Sequence, residues 1–297
     1  LCCLPALGQA PTRVVSTLTA LSSLYPGTTQ PHVLVQGYST PGDWGPAKTF
    51  RWDSTNALAT NAVRRATRTG VGRWVHDWDG DVRAFGASPQ FLSLASTFPT
   101  NGTDCLSPIQ SAIDYAASNG GGVVKLSAGT YWISDSLNMK PNVTLRGVAS
   151  PNGFSASRRT DRGFTGRIVG NTYIEMANAN KIGKACVVFN GPTYYTNQFT
   201  ESYVNFDGDT VFYRSGANTI ENITFSVYQW GWGSTARYPV AGVVIHDVDG
   251  VRISNCGFAN IAGHGVWAQG ARGLVIEGCA SANTLLPTFF CAYTSDT

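Results

Sequence analysis

The sequence predicts an all-β solenoid, a chain of short strands wound lap upon lap. Three observations predict it. The first is an internal repeat: Ile220-Glu221-Asn222-Ile223-Thr224-Phe225, Ile253-Ser254-Asn255-Cys256-Gly257-Phe258 and Ile276-Glu277-Gly278-Cys279-Ala280-Ser281 share one pattern. The last two stand 23 positions apart (256 to 279). The first two stand 33 apart (222 to 255), and a Gly/Trp-rich stretch around Gln229 to Tyr238 accounts for the excess. A period in the low twenties made of short alternating strands marks a unit that cannot bury its own apolar face and must stack on its neighbours. The second observation is composition: 33 Gly in 297 residues with 13% charged side chains, which suits turns and strands and disfavours long helices. The third is a single amphipathic helix placed just before a series of short strands, where the open end of a solenoid needs cover.

Taken in order, Leu1 to Ala10 reads either as the remnant of a secretory signal cleaved after Ala10 or as an arbitrary start. Residues 11–87 form a small β-rich head. Val14 to Leu24 has helix-like apolar spacing, and Val33 to Tyr38 reads as a strand ending at a glycine turn. The segments 48–53, 72–76 and 81–85 alternate apolar and polar residues, as half-buried strands do. The head carries Trp44, Trp52, Trp74 and Trp78. Residues 88–106 read as an irregular linker, and 107–297 as the solenoid.

The helix is expected over Ser107 to Ser118. Pro108 suits its first turn, and Ile109, Ile113 and Ala116 share one face. Asn119-Gly120-Gly121-Gly122 ends it. Strands follow at 123–126, 130–133 and 143–146. The chain stops soon after a recognisable lap, so further laps are expected beyond Thr297.

The net charge of +3 and the lack of a basic stripe argue against nucleic acid, and no apolar run is long enough to span a bilayer. The seven cysteines form no C-x-x-C pair or metal-ligand spacing. Cys256 and Cys279 share one repeat position, which stacks them facing inward as free buried thiols.

Pro108-Ile109-Gln110-Ser111-Ala112-Ile113-Asp114, then Gly120-Gly121-Gly122-Val123-Val124-Lys125-Leu126-Ser127-Ala128-Gly129-Thr130-Tyr131, closely resembles the start of pectate-lyase-superfamily right-handed parallel β-helices. That group includes rhamnogalacturonase-like proteins and phage tailspike depolymerases. Phe85-Gly86-Ala87 and Val143-Thr144-Leu145-Arg146-Gly147 extend the likeness, and residues 12–87 resemble tailspike heads. One departure stands out: the family's Thr-Asp-Asp before the helix is here Thr103-Asp104-Cys105. The resemblance implies a secreted or virion-surface protein that binds and cleaves an extracellular polysaccharide, with hydrolysis favoured over lyase chemistry. It implies no cofactor, or calcium for a lyase. Tailspike relatives commonly form trimers, which implies a homotrimer. The alternative is a non-catalytic β-helix such as a tailspike stem or an adhesin.

Laying the repeat out strand by strand aligns Val243 with Val266, Val244 with Trp267, Ile245 with Ala268 and His246 with Gln269. Tyr213 joins the His246 row and Arg214 the Asp247 row. Strand alternation then turns Tyr213, His246, Trp267 and Gln269 outward. Aromatic faces pack on the apolar faces of sugar rings, so Tyr213, His246, Trp267, Gln269 and Arg214 are candidate substrate-binding residues. Glycoside hydrolysis needs two carboxyl groups, ~5–5.5 Å apart for retention or ~6.5–9.5 Å for inversion. The acid candidates are Asp207, Asp209 and Asp247. Gly263-His264-Gly265 resembles the Gly-His-Gly of polygalacturonases, which makes His264 a fourth catalytic candidate, although the acidic motifs that accompany it in those enzymes are missing here.

Overall fold

The computed structural model of the chain describes residues 13–25, 32–57, 60, 61, 63–66, 72–90, 103–148, 172–176, 185–189, 218–227, 241–246, 248–259, 261, 263–282, 284 and 287–292. Two units separate along the chain, Leu1–Ser88 and Pro89–Thr297.

The first unit is built on a five-stranded sheet. Its elements are β1 (Arg13–Thr17), α1 (Leu18–Ser22), β2 (His32–Gly37), β3 (Lys48–Asp53), β4 (Arg64–Ala66) and β5 (Arg73–His76), and the strand order is β1-β2-β3-β5-β4. The apolar spacing of 14–24 does not give one helix. The β-branched Val14 and Val15 pair in parallel with β2 instead. Helix begins only after Thr17, whose hydroxyl accepts the Ala20 N–H at 3.3 Å. The alternating segment 81–85 is likewise no strand. Asp81 accepts the Arg83 N–H at 2.9 Å and caps a 3₁₀ turn, Val82–Phe85. The core gathers Leu18, Leu21, Val33, Val35, Trp44, Phe50 and Trp74.

The second unit opens on α2 (Leu106–Ser118), which starts one residue earlier than the Ser-Pro signal suggests. Fifteen short strands follow among the described residues. They are β6 (Gly122–Lys125), β7 (Gly129–Ile133), β8 (Leu137–Asn138), β9 (Val143–Arg146), β10 (Thr172–Met176), β11 (Ala185–Phe189), β12 (Asn218–Glu221), β13 (Thr224–Val227), β14 (Ala241–His246), β15 (Val251–Ser254), β16 (Gly257–Ala259), β17 (Val266–Gln269), β18 (Val275–Glu277), β19 (Ala280–Ala282) and β20 (Phe289–Ala292). Each successive trio makes one lap. Corresponding strands stack into three parallel sheets: β6-β9-β12-β15-β18, β7-β10-β13-β16-β19 and β8-β11-β14-β17-β20. This is a parallel β-helix.

Gly257 pairs with Ala280, which sets Cys256 one lap below Cys279 as the repeat requires. The interior is a set of such columns. Leu145, Ile220 and Ile253 are fully buried in the first sheet, as are Ile174, Phe225 and Phe258 in the second. The Phe225 and Phe258 rings stack at 5.8 Å. Asn222, Asn255 and Gly278 occupy one turn position, all with left-handed backbone (φ 50 to 59°). Asparagine tolerates that conformation better than most side chains, because its short polar group hydrogen-bonds locally.

The first lap presents strand edges, and each is covered. The apolar face of α2 (Ile109, Ala112, Ile113, Ala116) is buried. Gln110 donates to the Asn138 carbonyl and accepts the Asn138 N–H, closing the edge of β8. Cys105 N–H donates to Trp132 O at 2.7 Å, and Gln90 bridges Thr130, closing β7. Asp104 accepts hydrogen bonds from the Ser134 backbone N–H and hydroxyl. It is a tether between the chain before the helix and the first lap.

Among the described residues five cysteines are free. Cys105, Cys186 and Cys256 are buried, Cys279 is half-buried and Cys291 is exposed. Burial pushes the Cys186 thiol up to about 12.

Candidate functional site

The outward surface of the third sheet carries the aromatic column. The pairings Val188↔Val244, Val244↔Trp267 and Trp267↔Phe290 place these four residues one above another on successive laps. Val243, Ile245, Val266 and Ala268 alternate with them and are fully buried in the interior. Val188 and Val244 form a separate apolar cluster with Ala185 and Ala241, and half-buried Trp267 packs against it. Trp267 is thus anchored at its base. Phe290, one lap on, is 42% exposed and presents an accessible aromatic face.

His264 joins this surface from the turn before β17. Its ring stacks on Phe290 at 5.0 Å and 28°. Its Nδ1 lies 2.7 Å from the Pro287 carbonyl, a contact that needs a proton on Nδ1 and leaves Nε2 as the acceptor of the neutral ring. Burial, the larger effect, lowers its pKa, and the Pro287 hydrogen bond opposes the shift. His246 and Gln269 pair in the next outward row, the first buried and the second half-buried.

The structure therefore places Trp267, Gln269, His246 and His264 on one side of the β-helix. Asp207, Asp209, Tyr213, Arg214 and Asp247 lie outside the described residues. Two features of the described surface escaped the sequence reading although the repeat held them. Phe290 stands 23 positions after Trp267, the same step that separates Cys256 from Cys279. Glu221, Ser254 and Glu277 are the matched residues of the three repeats, and they share one column on the first sheet.

That column carries two carboxylates two laps apart, about 9.6 Å at the backbone given a lap rise of ~4.8 Å. Glu221 pairs with Arg146 and Glu277 with Arg252, each from the lap below. That backbone spacing lies just beyond the ~6.5–9.5 Å between the carboxyl groups of inverting glycosidases, and each carboxylate is taken up by its arginine.

The Gly-His-Gly motif has a packing explanation. A Cβ on Gly265 would stand 2.8 Å from Phe258 Cγ and 2.9 Å from both the Thr288 carbonyl oxygen and its methyl. Gly265 is glycine because the chain passes against the ring of the neighbouring sheet. His264 is thereby carried to the outer surface.

In the first unit a cavity of about 460 Å³ is lined by Lys48, Thr49, Arg51, His76 and the acids Asp77, Asp79 and Asp81. The Lys48 ammonium, 6% exposed, lies 3.5 Å from Asp79 and 3.6 Å from Asp81. Asp81 also takes two hydrogen bonds from Arg83 Nε and one from its terminal nitrogen. The buried Lys48 and Asp81 side chains thus neutralise each other, with the more exposed Asp79 and Arg83 alongside. Burial lowers the pKa of His76, whose Nδ1 meets the Thr49 carbonyl at 3.0 Å. No group of His, Cys, Asp and Glu suited to a metal occurs among the described residues, and none of their helices is long and apolar enough to cross a membrane.

Three stacked parallel sheets and a capping helix decide the class. The chain is a parallel β-helix protein. Solved structures share the fold. The tailspike protein gp49 of Acinetobacter baumannii bacteriophage Fri1, a capsular polysaccharide depolymerase, is similar at 16% identity and a TM-score of 0.52 over 95% of this chain and 46% of its own. The enzymatically active domain of tailspike protein 4 from bacteriophage CBA120 is similar at 15% identity and a TM-score of 0.55, over 95% of this chain and 33% of its own. The chain thus spans about half the length of the first and a third of the second. No protein-family model matches the chain, and no curated protein matches it in sequence.

Proposed function

We propose that the chain binds an extracellular polysaccharide along the outward face of its third sheet and takes part in cleaving it. The observation that carries the reading is the Trp267–Phe290 column with His264 stacked on Phe290. Flat apolar faces repeated at the lap spacing suit the apolar faces of successive sugar rings. The fold shared with a tailspike that is a capsular polysaccharide depolymerase supports the same ligand class. Glycoside hydrolysis is the favoured reaction, with lyase chemistry, which would bring in calcium, as the rival. The proposed setting is the cell exterior or a virion surface, and the proposed assembly a homotrimer.

The test is a panel of capsular, O-antigen and pectic polysaccharides. Binding to one of them should weaken about tenfold or more in Trp267→Ala, a loss of ~1.4 kcal/mol. Release of new reducing ends from the bound polysaccharide supports hydrolysis. Absorbance near the ultraviolet band of unsaturated uronates assigns a lyase. Binding that Trp267→Ala leaves untouched sinks the third-sheet reading.

A further inference from the structure

The interior of the turn between the first and second sheets holds two thiols in register. Cys256 follows Asn255 and Cys279 follows Gly278, at matched positions of consecutive laps. Their surroundings repeat closely. The Cys256 sulfur lies 3.3 Å from the Ser254 carbonyl in its own lap and 3.6 Å from the Ile220 carbonyl in the lap below. The Cys279 sulfur lies 3.3 Å from the Glu277 carbonyl and 3.6 Å from the Ile253 carbonyl. One side chain is therefore the other translated by one lap, about 4.8 Å. The Cα separation falls inside the ~4.4–6.8 Å window of disulfides. Cys256 is fully buried and Cys279 half-buried. By the same translation the Cβ atoms stand about 4.8 Å apart, a little beyond the ~3.5–4.5 Å of a disulfide, so closure draws the two turns together by about an ångström.

We propose that Cys256 and Cys279 form a dithiol site that closes to an inter-lap disulfide when a small-molecule disulfide such as oxidised glutathione is supplied. The steps balance. The Cys279 thiolate attacks one sulfur of the oxidant, the oxidant's own disulfide breaks, and one small thiol leaves. Cys256 then attacks the Cys279 sulfur of the mixed disulfide, its proton passing to the second small thiolate as that leaves. Two protein thiols are oxidised and one external disulfide is reduced to two thiols.

The order of attack follows from the environment. The hydrogen bond from the Cys256 side chain is the largest effect on Cys279 and lowers its pKa, whereas burial raises that of Cys256. The thiolate, not the thiol, is the nucleophile, and the half-buried residue is the one an oxidant can reach. The product would join the fourth lap to the fifth across the interior, independently of any ligand bound outside.

The experiment uses the whole chain with Cys291→Ser, which removes the other described thiol of the last lap. The folded protein is treated with oxidised glutathione, alkylated and cut with trypsin without reductant. Cleavage after Arg252 and Arg272 puts Cys256 and Cys279 on different peptides. The expected result is a single species joining the Ile253–Arg272 peptide to the one beginning at Gly273, released by dithiothreitol. A raised midpoint of thermal unfolding should accompany it, and Cys279→Ser should abolish both. A glutathione adduct that stays on Cys279 while Cys256 remains alkylatable after unfolding overturns the proposal, and so does the absence of any reaction.

Discussion

Replacing Gly265 by Ala tests whether this glycine belongs to packing or to chemistry. The added methyl would lie 2.8 Å from Phe258 Cγ and 2.9 Å from both the Thr288 methyl and the Thr288 carbonyl oxygen. All three distances are shorter than real Cβ contacts allow. One of the atoms is backbone in the next lap, where Val266 N–H holds the Thr288 carbonyl at 2.8 Å. The neighbours cannot all retreat. Over-packing of this kind costs about 1–3 kcal/mol, and the backbone contact puts Gly265→Ala at the upper end, about 2–3 kcal/mol. Phe258→Ala alone should cost about 3–5 kcal/mol, since it empties a fully buried site and breaks the ring pair with Phe225. The two changes must couple, because the ring removed by one is what the other collides with. In a double-mutant cycle read from urea midpoints at constant slope, the Gly265→Ala increment should fall by about 1 kcal/mol in the Phe258→Ala background. Thr288→Ser gives a gentler second arm by removing only the methyl. Strict additivity in both arms would refute the packing account and return the Gly-His-Gly motif to a chemical role.

Three further expectations follow from the same geometry. Asn255→Ala should destabilise by about 1–2 kcal/mol, because φ is +50° there, whereas Asn255→Gly should cost far less; thermal unfolding distinguishes them. Gly273→Ala, also left-handed but with no atom nearer than 3.8 Å to the new methyl, should pay only the conformational part. His264 and His76 both have folded pKa values below the ordinary ~6.5, chiefly through burial. The unfolded chain then takes up protons first, so stability is full above about pH 6.5 and falls as pH drops through the folded values. His264→Gln should flatten that acid-side loss in the β-helix transition, as followed by urea midpoints across the pH range.

The laps were legible because a parallel β-helix writes its period into the chain. Strand residues 143–146 and 48–53 stand where the sequence places them, and the pairing of Val243 to His246 with Val266 to Gln269 follows from aligning Ile253 with Ile276. Other parts were legible but unread: Phe290 and the Glu221–Ser254–Glu277 column need only the same 23-residue step carried one lap further or one row across. The first unit resisted for a different reason. Val14 and Val15 join a sheet because β2 is there to pair with, and Val82 to Phe85 curl into a 3₁₀ turn because Asp81 caps them. Local pattern cannot distinguish a strand from a turn when the deciding partner is remote or is a single carboxylate.

By itself, then, the sequence determined that the chain winds, with what period, and which residues share a column, since all three follow from spacing. Only the tertiary structure decided what each column meets. It made Gly265 a clearance for a ring on another sheet, His264 a partner of Phe290, and Asp104 a tether to the first lap. The physical reason is that repeat spacing fixes contacts along the stack, while contacts across it depend on how the turns fold the three sheets against one another.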